Sequence, residues 1–137
     1  HMPCAGQLLK MTYVPGDLFS VNPLTAEHVP GLFARNERVI CEFHGKAGHF
    51  VMVLVGATIV GSMATVWHGR VNPPRTGSVR QWDYTVKPHA LAQGAEMGRF
   101  LLGSTVVLLW PRATVELNPE WQAGTPVRMG QAMGHWT

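Results

Sequence analysis

Charge is scarce in this chain: only 14% of its 137 residues are Asp, Glu, Lys or Arg. That excludes a solvated disordered chain and a coiled coil, both of which need far more. The charges present show no Lys/Arg run, and the formal net charge of +3 is mild. No nucleic-acid partner is therefore expected, although an anionic surface or ligand would be tolerated. Two cysteines, Cys4 and Cys41, can build neither a disulfide scaffold nor a four-ligand zinc site, and read as reduced thiols. HxH, HExxH and CxxC are all absent, so no metal is expected. No glycine-rich turn leads into a Lys-Ser/Thr helix start, which removes the phosphate-loop signature. No charged segment followed by an apolar core opens the sequence as a secretory leader would. His1 precedes Met2, so the chain starts either with a cloning remnant or inside a longer protein.

Hydrophobic residues make up 46%, with 15 glycines and 10 prolines, and the length suits one domain. Phe50 to Trp67 is uncharged and just long enough to invite a membrane-span reading. Val, Ile and Thr dominate it and Gly56 and Gly61 interrupt it, so it reads as two buried strands with a turn or bulge near Gly56. Further strands are expected at Gln7–Val14, Val39–Phe43, Val79–Tyr84, Met97–Leu102, Ser104–Trp110, Thr114–Leu117 and Pro126–Met129. The one helix-like patch, Thr25 to His28, is cut short by Pro30-Gly31. Phe33 to Arg38 reads as a strand edge with solvated charges. Many short strands with Gly/Pro punctuation and little helix predict an all-β domain, a sandwich or barrel-like fold.

Seven histidines are present. His44 and His49 flank a glycine loop without a third ligand nearby, and His28, His68, His89 and His135 stand alone. All read as surface or hydrogen-bonded side chains. A carrier module would need a lysine on an exposed hairpin tip, and Lys10, Lys46 and Lys87 lack the Met-Lys pattern of such tips. The Gly103-Ser104 bond lies between two apolar strands and, taken alone, is a tight turn or bulge.

With its surroundings it is more. Leu102-Gly103-Ser104-Thr105 resembles the LGST processing site of the pyruvoyl-dependent phosphatidylserine decarboxylases of proteobacteria. His1-Met2-Pro3-Cys4 is similar to that family's HMPC. Tyr13 to Asn22 resembles its YVPGxLFSVN, Leu32 to Val39 its LFARNERV, Val55 to Ser62 its VGATIVGS, and Gly94 to Phe100 contains its GxEMGRF. The matches run in family order along nearly the whole chain. Leu101 departs from the polar or basic residue usual before LGST, and the His44–His49 loop is richer in glycine.

The resemblance implies self-cleavage. A serine hydroxyl becomes a nucleophile once a base takes its proton. Ser104 Oγ would attack the Gly103 carbonyl and turn the amide into an ester. Elimination would break the chain and leave a dehydroalanine, which hydrolyses to a pyruvoyl group with loss of ammonia. The products would be a β chain, residues 1–103, and an α chain, residues 104–137, of one catalytic domain. His1 is implied as the base, oriented by an aspartate that the family carries ahead of this segment, along with membrane-binding helices and a histidine for proton return. The pyruvoyl group would form a Schiff base with phosphatidylserine and release CO2, giving phosphatidylethanolamine. The implied setting is peripheral, at the inner face of a bacterial cytoplasmic membrane, and a homodimer is compatible with it. The alternatives are an unprocessed, inactive fragment and a non-catalytic carrier or binding module.

Overall fold

The computed structural model describes residues 1–46, 48–59, 62–103 and 105–137. In chain order the elements are β1 (Gly6–Val14), α1 (Pro23–His28), α2 (Leu32–Arg35), β2 (Arg38–Gly45), β3 (Gly48–Val55), β4 (Met63–Thr65) and β5 (Gly69–Asn72). There follow β6 (Arg80–Asp83), β7 (His89–Leu91), β8 (Gly98–Phe100), β9 (Thr105–Leu109), β10 (Val115–Leu117) and β11 (Gly134–Trp136). The main sheet has the order β6-β1-β2-β3-β9, with β7 also paired to β1. A three-stranded sheet, β5-β4-β8, and a two-stranded sheet, β10-β11, complete a mostly β fold without a closed barrel. No helix among the described residues is long and apolar enough to cross a membrane.

Period-two burial writes the core. Along β2, Val39, Cys41 and Phe43 are buried, and along β3 Phe50, Met52 and Leu54. In β1 the rhythm breaks: Leu8 is buried, then Met11 and Tyr13. The pairing register with β2 shifts between Leu8 and Lys10, so one extra residue resets the phase and returns both halves of the strand to the core face. Met63, Val71 and Met97 of the smaller sheet and its approach join the same cluster. The Phe50–Trp67 stretch holds β3 and β4, as its glycines suggested. Lys46 is exposed in the turn between β2 and β3, preceded by Gly45 rather than Met.

Two expectations need correction. Phe33–Arg38 is not a solvated strand edge. It begins in the turn of α2 and then buries Asn36 and Glu37 completely. The Glu37 carboxylate accepts from Tyr13 Oη at 2.8 Å and Arg75 Nε at 3.0 Å, and from Asn72 Nδ2. Asn36 Nδ2 donates to the carbonyls of Phe19 and Gly56, both at 2.9 Å. These polar side chains are inside because they satisfy backbone and side-chain groups from separate loops. The second correction is Pro126–Met129, which is irregular. Pro126 has no N–H, and the Arg128 N–H donates to Gln131 Oε1 at 3.1 Å, so this backbone is satisfied locally and not by a strand. Sequence patterning also missed the short β5, β7 and β11.

Gly16 shows why the first loop needs glycine. Asp17 N–H donates to the Arg35 carbonyl and Glu37 N–H to the Asp17 carbonyl, at 2.9 and 2.8 Å. A Cβ on Gly16 would collide with the Arg35 carbonyl oxygen.

Candidate active site

β8 and β9 bracket the connection that carries Gly103, and they belong to different sheets. β8 pairs with β4 (Met63 with Phe100, Thr65 with Gly98), and β9 pairs with β3 (Val51 with Leu109, Val55 with Thr105). The approach of β8 to β4 needs Gly98, where a Cβ would stand 2.5 Å from the Ala64 carbonyl oxygen. Leu101 N–H donates to the Ser62 carbonyl at 2.9 Å, the last tie before the connection. Leu102 then takes φ 99°, a left-handed value costly for a residue with a side chain. Leu102 and Gly103 are exposed, and a Cβ on Gly103 would meet nothing within 4 Å. Ser104 itself lies outside the described residues.

A cleft of about 740 Å³ opens beside this connection, lined by Gly98, Arg99 and Phe100 before it and by Val106 and Leu108 after it. Met52 and Leu54 contribute from β3, and Trp121, residues 127–131 and Met133 form the far side. His1 and Met2 line it too. Met2 is buried, its N–H donating to the Ala95 carbonyl at 2.8 Å while its own carbonyl accepts from Gly94 N–H at 2.9 Å. The backbone of Gly94-Ala95 thus holds the first residues, and exposed His1 stands on the wall. Cys4 is buried and its thiol pushed up by that burial, so it is no rival nucleophile.

The other histidines do not join this cleft. His44 and His49 sit opposite each other across the β2–β3 hairpin with ring centroids 5.0 Å apart. His28 bonds the Leu24 carbonyl, His68 packs on Trp82, His89 on Tyr84, and His135 pairs with Glu116. No group of three metal-binding side chains occurs among the described residues.

A sequence profile of the phosphatidylserine decarboxylases matches residues 1–135. The chain belongs to the phosphatidylserine decarboxylase family. A phosphatidylserine decarboxylase proenzyme from Chromobacterium violaceum is 69% identical over 134 residues, covering 97% of this chain and 48% of that protein. Those from Methylibium petroleiphilum and Acidovorax ebreus are 68% and 67% identical, over 97% and 98% of this chain and 47% and 48% of their own lengths. The chain thus spans about half the length of these relatives. Of the residues expected at the site, His1 lies on the cleft and Gly103 in the exposed connection beside it. Sequence reasoning missed Trp121 and Arg128, whose distance along the chain from any family motif hid their place on the same wall.

Proposed function

We propose that this chain is the catalytic part of a phosphatidylserine decarboxylase proenzyme that splits between Gly103 and Ser104. The observation that carries the reading is the exposed Leu102-Gly103 connection at the lip of a cleft that also holds His1. The strands on either side are tied to two different sheets, so the connection is held at both ends while its middle has room to change geometry. The residues present suit a pyruvoyl group in that the connection ahead of Ser104 is open, with nothing within 4 Å of where a Gly103 side chain would be, and His1 stands on the adjoining cleft. When formed from Ser104, that group supplies a carbonyl that captures the substrate amine and accepts the electron pair released with CO2.

Within this reading His1 takes the Ser104 hydroxyl proton, and Met52, Leu54, Val106 and Leu108 give the cleft an apolar wall beside the connection. Residues 1–103 and 104–137 stay together after the cut, because β9 remains the neighbour of β3 and Trp110 stacks on Phe50 at 4.7 Å between ring centroids. Phosphatidylserine is a bilayer lipid, so the protein works on the membrane surface, at the inner face of the cytoplasmic membrane.

Ketone titration with a hydrazine reagent tests the reading. A reactive ketone in the full-length protein, absent from Ser104→Ala, supports it, while an unreactive protein is an uncut proenzyme or a carrier. Replacing His1 should slow cleavage by roughly 10²–10⁴-fold, the usual loss for a general base.

A further inference from the structure

The cleft has an uneven distribution of charge. Its ionisable lining residues are His1, Arg99 and Arg128, with no Asp or Glu among them. Arg99 is already neutralised, since both Nε and Nη2 reach Glu96 Oε1 at 2.8 and 2.7 Å. Arg128 is different. Its backbone is fixed in a turn, with Gln131 N–H donating to its carbonyl and its own N–H donating to Gln131 Oε1, both at 3.1 Å. Its guanidinium has no ion pair or hydrogen bond among the described residues. Val127 and Met129 on either side are exposed apolar side chains, 55% and 80% accessible. The same wall carries the Trp121 indole Nε1, buried without an acceptor. This side of the cleft therefore offers one unpaired guanidinium and apolar surface, and no acceptor charge.

We propose that Arg128 anchors the phosphodiester of the lipid substrate, positioning the headgroup against the reacting centre; this rests on the decarboxylase reading above. A guanidinium matches a phosphodiester through two parallel hydrogen bonds. The substrate carboxylate is the wrong partner for this cation. A guanidinium on it would stabilise the charge that must vanish as CO2 leaves, binding the ground state better than the transition state. The phosphodiester keeps its charge throughout, so a contact with it aids binding without opposing the reaction. Val127 and Met129 then lie where the first methylenes of the acyl chains enter.

The test uses the full-length protein with short-chain phosphatidylserine below its micellar concentration. Arg128→Gln should raise KM roughly 10–100-fold, the range for losing a charge-assisted hydrogen-bond pair, with kcat much less affected. Arg128→Lys should recover part of the loss. Self-cleavage involves no phosphate and should proceed in both variants. A variant-free arm uses competitors of the wild type. Dihexanoyl phosphatidylglycerol has the phosphodiester and no amine, and should inhibit at least about 10-fold more strongly than dihexanoylglycerol. Inorganic phosphate should inhibit weakly. An unchanged KM in Arg128→Gln, a pure kcat loss, or equal inhibition by the two dihexanoyl lipids would overturn the assignment. So would inorganic phosphate competing as well as the phospholipid, which would make this a free-phosphate site. If the wild type neither splits nor decarboxylates, it is the decarboxylase reading that fails, and the anchor fails with it.

Discussion

Glu37 is the most informative residue to perturb for the fold. Its side chain is 2% exposed and takes hydrogen bonds from Tyr13, Asn72 and Arg75, so it ties β1, the end of β5 and the following loop to the start of β2. Glu37→Gln keeps the shape but swaps one oxygen for a donor. If the amide oxygen faces Tyr13 and Arg75, the new NH2 opposes Asn72 Nδ2. Asn72 cannot flip to accommodate it, because its Oδ1 already accepts from Met63 N–H at 2.7 Å. One buried donor–donor conflict remains, costing about 1–3 kcal/mol. Glu37→Ala strands the Tyr13 and Asn72 donors in a cavity and should cost about 3–5 kcal/mol. For a domain of this size each kcal/mol lowers Tm by a few degrees, roughly 3–5 °C. Thermal unfolding followed by circular dichroism reads both variants, and a cycle with Tyr13→Phe isolates the pairwise coupling, expected between about 0.5 and 3 kcal/mol. If both Glu37 variants fell within about 0.5 kcal/mol of wild type, as surface changes do, the buried network would not be holding these loops.

The pH dependence has a marker in His68, whose pKa is lowered by partial desolvation where the exposed ring packs on Trp82 and by the Arg80 guanidinium. The folded chain then binds fewer protons than the unfolded one as pH drops through 6.5, so stability is full above that value and falls toward the depressed pKa. His68→Gln should shrink the loss of stability between pH 7.5 and 5.5, and an unchanged loss would remove His68 as its source. A net charge of +3, with no amphipathic docking helix among the described residues, predicts weak liposome binding by residues 1–137 alone. Tight, salt-resistant sedimentation with anionic vesicles would contradict that.

The β character was legible wherever alternation was clean, as at Val39, Cys41 and Phe43 or Phe50, Met52 and Leu54. It failed where polar groups are satisfied unusually. Asn36 and Glu37 look like surface residues, and only their partners, tens of residues away in the chain, explain their burial. Pro126–Met129 has strand-like side chains, but its backbone bonds close locally through Gln131. The short β5, β7 and β11 carry too few residues for any periodicity to emerge. At the site, the motifs pointed to His1 and Gly103. That His1 stands on the cleft follows from the backbone pairing of Met2 with Gly94 and Ala95, which no local pattern announces. Arg128 was invisible for the same reason, since a lone arginine in a loop has meaning only through the wall it joins.

The most direct test of the central claim is the intact mass of the full-length protein beside its Ser104→Ala variant. The account predicts that the wild type resolves into two chains, the smaller beginning at position 104 with a hydrazine-reactive blocked terminus, and that Ser104→Ala stays whole and releases no CO2 from phosphatidylserine. A Ser104→Ala protein that still splits, or an uncut wild type that still decarboxylates phosphatidylserine, would contradict it.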